Sequence, residues 1–228
     1  MRNLPIVTKS LILANVVMWL LTELLEMSGI SMVGYLGLFN YPSAYFHWWQ
    51  PMTYMFMHGG FSHLFFNMFA VLMFGPVLEN EWGKWRYLIY YIICGLGAAF
   101  VQEIVWSMMG VQVSVTVGAS GAVFGILLAF GWLFPDVPLY LFFIPIPIKA
   151  RWMVIGYAVI ELFAGFGNVP GDNVAHFAHL GGMLFGLIPL LWWTYKDRIR
   201  WPKFFDKFRK TQDAKDKDYS DYHYHRRL

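Results

Sequence analysis

A serine lies in the run Gly118-Ala119-Ser120-Gly121, where an extended stretch turns into an apolar helix. A second apolar helix downstream opens on two histidines, His176 and His179. A serine hydroxyl is a weak nucleophile until a neighbouring base takes its proton. Histidine is the side chain whose ordinary pKa suits that task near neutral pH. Polar side chains inside apolar spans are costly unless they pair, so the two motifs together imply nucleophilic chemistry carried out within a bilayer. A third polar group, His58, His63 and Asn67, heads another apolar stretch.

The elements that must position these residues are read from composition. Of 228 residues, 58% are hydrophobic and only 14% charged, against about a quarter charged in soluble domains. Six apolar runs approach the length needed to cross a hydrocarbon core of about 30 Å: 8–26, 61–79, 86–107, 119–134, 150–166 and 175–195. The expected fold is all-α, a six-helix transmembrane bundle over 1–195. A basic, flexible tail is expected over 196–228.

Lys and Arg orient the bundle. Arg2 and Lys9 precede the first run, Lys84 and Arg86 lie between the second and third, and Lys149 and Arg151 between the fourth and fifth. The rest follow the sixth run. Positive charge marks the cytoplasmic side, so both termini are expected in the cytoplasm. The connections 27–60, 108–118 and 167–174 then face outward. The first carries Tyr41, Tyr45, Phe46, Trp48 and Trp49, rings that favour the headgroup zone.

In this topology Ser120, His179, His58, His63 and Asn67 all fall at a similar depth on the outer side. From Ser120 to Pro135, which stops the helix, is about 22 Å at the helical rise. That is short of the hydrocarbon core, so Ser120 is expected below the surface in a cavity that water reaches from outside. Gly121 and Gly125 on one helix, and Gly182 and Gly186 on the other, have the four-residue spacing that lets helix backbones approach closely. That approach would bring Ser120 to His179.

Ser120 opens its helix, where free N–H groups and the dipole favour negative charge. His63 and Asn67, spaced i,i+4, share a face and can donate to the same oxyanion. His58, before Gly59-Gly60, is expected to tether the outer loop. His176 lies about one turn before His179, so spacing alone leaves it open as the base. None of Glu23, Glu26, Glu79, Glu81, Glu103, Asp136, Glu161 and Asp172 is paired with either motif by sequence, so a serine–histidine dyad is expected. Phe124, one turn after Ser120, is placed to stack on the His179 ring. Cys94 is expected to be a packing residue.

Together these residues resemble the rhomboid family of intramembrane serine proteases. The likeness runs from about Trp49 to Gly186 and rests on four stretches: HGGFSHLFFN (His58–Asn67), LENEWGKWRYL (Leu78–Leu88), GASGAVFG (Gly118–Gly125) and AHLGGMLFG (Ala178–Gly186). The resemblance implies that Ser120 is the nucleophile and His179 the base. It makes His63, Asn67 and the Ser120 N–H the oxyanion hole, with Gly118, Gly121, Phe124, Gly182 and Gly186 in support. The spacing from His179 through Gly182 to Gly186 sets His176 aside. Two departures stand out: Trp48-Trp49 replaces the Trp-Arg pair some members carry in the first loop, and Phe124 stands where some have Tyr.

The implied activity is endopeptidase cleavage of transmembrane segments near the outer face, after a small side chain, with no cofactor or metal. The expected surroundings are membrane lipid and transmembrane protein substrates, in a prokaryotic cell membrane. Nucleic acid is not an expected partner, because the cations and rings of 198–208 suit anionic headgroups. The alternatives are a metalloenzyme using His58, His63, His176 and His179, and a silent member of the fold that binds transmembrane clients.

Overall fold

The computed structural model describes residues 4–41, 43–141, 144–167 and 175–197. The tail expected over 196–228, apart from Lys196 and Asp197, and most of the third outer connection lie outside the described residues. Helix α1 (Ile6–Glu26) starts after Pro5, and its N-terminus is held from another helix: Glu79 accepts from the Val7 and Thr8 amides and from the Thr8 hydroxyl. Helix α2 (Met32–Leu36) and strand β1 (Leu38–Phe39) follow in the first connection, then α3 (Gln50–Thr53) and a 3-10 turn (Tyr54–Phe56).

Helix α4 (Phe61–Trp82) ends at Gly83, whose φ is +81° and whose amide donates to the Glu79 carbonyl. Helix α5 (Lys84–Met108) starts at the next residue. Strand β2 (Val115–Thr116) pairs antiparallel with β1. Helix α6 (Ser120–Leu133) stops just before Pro135, as a residue unable to continue the ladder requires. Strands β3 (Pro138–Leu141) and β4 (Ile144–Lys149) form a ribbon leading into α7 (Ala150–Phe166), and α8 is His176–Asp197.

Helices α1, α4, α5 and α8 are long and apolar enough to cross a membrane. Helix α6, with 14 residues, and α7, with 17, are shorter. The sequence treats 135–149 as a plain connection between helices, whereas the structure has the β3–β4 ribbon. The reason lies in Ile144-Pro145-Ile146-Pro147-Ile148: proline fixes φ near −65° and pushes the residue before it into extended backbone. Asp136 accepts from Lys149 at 3.2 Å and Arg151 at 2.7 Å beside the ribbon. All three groups are half-exposed, so the pair adds little stability.

The bundle is organised around α6. It is buried on nearly every side, against α4, α5, α7 and α8. Helices α1 and α7 are peripheral, exposing Leu13, Leu20 and Leu24 on one and Trp152, Ile155 and Phe163 on the other. Apolar surface on this scale suits lipid rather than water.

The first connection, lacking the Trp-Arg pair, is anchored by other groups. Gln50 accepts from the Phe39 and His47 amides and donates to the Tyr45 carbonyl. Asn40 donates to the Val111 and Gln112 carbonyls and accepts from the Ser114 amide. Trp49 donates to the Tyr35 carbonyl and stacks on His47 at 4.5 Å. Glu103 of α5 accepts from the Tyr41 amide. These bonds hold the loop that leads into α4, where His63 and Asn67 lie.

Candidate active site

Ser120 is the first residue of α6, His179 the fourth of α8 and His63 the third of α4. Each of these three residues therefore lies in the first four positions of its helix. The Ser120 hydroxyl and His179 Nε2 are 2.8 Å apart. Phe124 lies parallel to the His179 ring, 4.4 Å between centroids and 9° between planes.

The glycines make this approach possible, with a division of labour that spacing does not reveal. A Cβ on Gly182 would strike the Gly121 backbone, so α6 and α8 touch main chain to main chain one residue beyond Ser120. A Cβ on Gly125 or Gly186 would meet Cys94 of α5, and on Gly186 also the Tyr90 hydroxyl. A Cβ on Gly125 would also come within 3.3 Å of the Gly182 carbonyl of α8, so the lower ends of the two grooves face α5 as well as each other. Cys94 is buried there, and Tyr90 donates to the Gly125 carbonyl at 2.8 Å.

Gly118 precedes the serine with φ +125°, a backbone region that side chains rarely adopt. A Cβ there would also sit 2.7 Å from the His63 ring. Its amide donates to the Tyr54 carbonyl. The Asn67 amide nitrogen donates to the His63 carbonyl at 2.9 Å, which leaves its second hydrogen for another acceptor. His63 and Gly118 thus border the same end of α6 as Ser120, and Asn67 follows His63 one turn along α4.

His58 is buried and its ring meets that of His63 edge-on at 5.0 Å. Neither ring nitrogen makes a hydrogen bond of ordinary geometry to a protein group. Burial first, then the neighbouring His63, push its imidazole down to about 4, against a weaker pull upward from the Phe56 backbone. A neutral buried histidine makes stability pH-dependent. Above about 6.5 neither state binds the proton; as pH falls from there toward 4, only the unfolded chain does, and stability drops. Melting in detergent should show this loss, and His58→Gln should flatten it. An unchanged slope would sink the assignment.

The structure corrects the sequence on the carboxylates. Glu161 of α7 points its Oε2 at His179 Nδ1, 2.9 Å away, and at His176 Nδ1, 2.6 Å away. A signal was available: Glu161 stands within an apolar helix, and such a group needs a partner. The next helix opens on two histidines. Among the described residues, Glu161, His176 and His179 are the group whose possible metal-ligating atoms gather, within 4.8 Å of one another. The four histidines considered as a zinc set do not converge.

The family model for the Rhomboid domain matches residues 45–195, a stretch that holds the three helix heads just described. The chain belongs to the rhomboid family. This rhomboid chain is 31% identical over 193 residues to the putative rhomboid protease YdcA of Bacillus subtilis, covering 82% of this chain and 87% of that one. It is 31% identical to the chloroplastic Rhomboid-like protein 11 of Arabidopsis thaliana, over 80% of this chain and 63% of the relative. Rhomboid protease AarA of Providencia stuartii is 37% identical over 36% of this chain. The chain spans 63% of Rhomboid-like protein 11 and 33% of AarA, less than two thirds of either relative's own length.

Proposed function

We propose that this rhomboid is an intramembrane serine endopeptidase in which Ser120 is the nucleophile and His179 the general base. The observation that carries the reading is the 2.8 Å separation of Ser120 Oγ and His179 Nε2 at the heads of two apolar helices. His179 Nε2 takes the hydroxyl proton as Oγ bonds to the scissile carbonyl carbon. The carbonyl electron pair moves to oxygen, and His179 then returns the proton to the leaving amide nitrogen. Water, activated by the same histidine, releases the acyl group.

The oxyanion would be received by the Ser120 N–H, the second Asn67 hydrogen and His63. Replacing either His63 or Asn67 with Ala should lower kcat on the order of 10²–10³-fold, measured on a transmembrane substrate in liposomes. A loss under tenfold at both would remove them from that role.

We read α6 and α7 as the fourth and fifth of six spans, with both termini cytoplasmic and the site opening outward, in a prokaryotic cell membrane. The charge distribution supports this. Substrates are transmembrane helices that unwind readily near the outer face, because a carbonyl must leave its helical bond before Ser120 attacks.

The test is cleavage of a single-pass substrate in liposomes by wild-type protein, with fluorophosphonate labelling mapped by peptide mass. Label on Ser120 together with cleavage that persists in chelator supports the reading. Label elsewhere, or activity that chelator removes, overturns it. Folded protein that neither cuts nor labels points instead to client binding.

A further inference from the structure

Resting on that reading of the site, we infer that Glu161 is the positioning residue that fixes the tautomer of His179, so the centre works as serine, histidine and glutamate rather than as a pair. A general base must present a lone pair at Nε2, which requires the proton of the neutral ring to sit on Nδ1. Phe124 cannot impose this: stacking at 4.4 Å fixes the plane of the ring but treats both nitrogens alike. A carboxylate oxygen 2.9 Å from Nδ1 does impose it. An ionised carboxylate only accepts, so the ring must donate to it from Nδ1.

The same contact serves the next step. When the Ser120 proton arrives on Nε2 the ring becomes a cation, and Glu161 lies against its far nitrogen. Glu161 stays ionised throughout, and the proton travels only between Ser120, His179 and the leaving nitrogen. His176 approaches the same Oε2 at 2.6 Å and so fixes the carboxylate that fixes the base.

The placement of Glu161 in α7 argues against an incidental contact. Its neighbours Ile160, Leu162 and Phe163 are exposed, whereas Glu161 is only 9% exposed. The peripheral helix turns one acidic side chain inward, and that side chain meets the base. Burying a carboxylate in an apolar helix is costly, and a helix whose only task was packing would carry an apolar residue there.

The first measurement uses full-length wild type in detergent with ¹⁵N-labelled histidine, assigned by comparison with His179→Ala. His179 should carry its hydrogen on Nδ1 in the neutral ring, and Glu161→Gln should lose that preference. This readout needs no turnover, so it stands or falls separately from the protease reading, which the wild-type cleavage assay decides. The second measurement is kinetic. Glu161→Gln should lower kcat on the order of 10²–10⁴-fold with KM within about threefold, and Glu161→Asp should recover part of it.

A wild-type ring protonated on Nε2 overturns the inference. So does a Glu161→Gln variant with unchanged kcat, or one whose loss lies in KM alone. If Glu161→Gln fails to fold, the wild-type tautomer still decides. Nδ1 signals that change on chelation would mean that the three groups hold a metal, which also overturns it.

Discussion

Ser120→Ala should lose cleavage of a transmembrane substrate by about 10⁴-fold or more, with fluorophosphonate labelling gone and melting temperature within a few degrees of wild type. The size follows from what is removed. Without Oγ no acyl-enzyme forms, and only water positioned by the remaining donors could attack. The structure gives reason to expect intact folding, because Oγ faces His179 across the site and α6 is held by its apolar faces. His179→Ala should be nearly as severe, and the double variant little worse than either single one, since residues acting as a unit are not additive. Residual activity within tenfold of wild type in Ser120→Ala would remove the nucleophile from the scheme.

Gly182→Val should be the most damaging change outside the reacting groups. Its side chain has to occupy the space of the Gly121 backbone, which has no rotamer to give way. Overpacking of this kind costs on the order of 1–3 kcal/mol even where neighbours can shift, and here one helix must move from the other. Because Ser120 adjoins Gly121, any separation also stretches the serine–histidine contact, and a shift of about 1 Å can cost on the order of 10²-fold in rate. The expected result is a lowered melting temperature together with cleavage reduced at least that far. Gly156→Ala is the control: a Cβ there meets nothing within 4 Å, so stability and activity should be unaltered. Wild-type melting and turnover in Gly182→Val would contradict the main-chain contact between α6 and α8.

Much of this site is legible in the sequence because a membrane restricts what polar residues can do. Ser120, His63, Asn67 and His179 are conspicuous against apolar helices, and charge asymmetry leads to the expectation that their helix heads share one side. The helix limits follow from simple stops such as Gly83 and Pro135. The partner of Glu161 was harder to read, because pairing between helices depends on rotation about each axis, which sequence spacing leaves open. The same holds for Gly125 and Gly186. Four-residue spacing says that a neighbour comes close, not that α5 shares the contact with the facing helix. The loop anchors Gln50 and Asn40 look like ordinary polar loop residues, and only the backbone groups they meet distinguish them. The β3–β4 ribbon is foreshadowed by the alternating Ile and Pro of 144–148, since proline holds the residue before it in extended backbone.

The bonds from Glu79 to Val7 and Thr8 carry a practical consequence for anyone handling this chain. Glu79 is 4% exposed, and its bonds at 2.7–2.9 Å go to the opening turn of α1. Trimming the polypeptide past Thr8 would strand a carboxylate inside α4 with its partners gone, which is far costlier than losing a stretch of exposed helix. Affinity tags and reporter fusions therefore belong ahead of Pro5. Loss of fold after a deeper truncation would report a missing cap on α4's acid rather than a part for α1 in proteolysis.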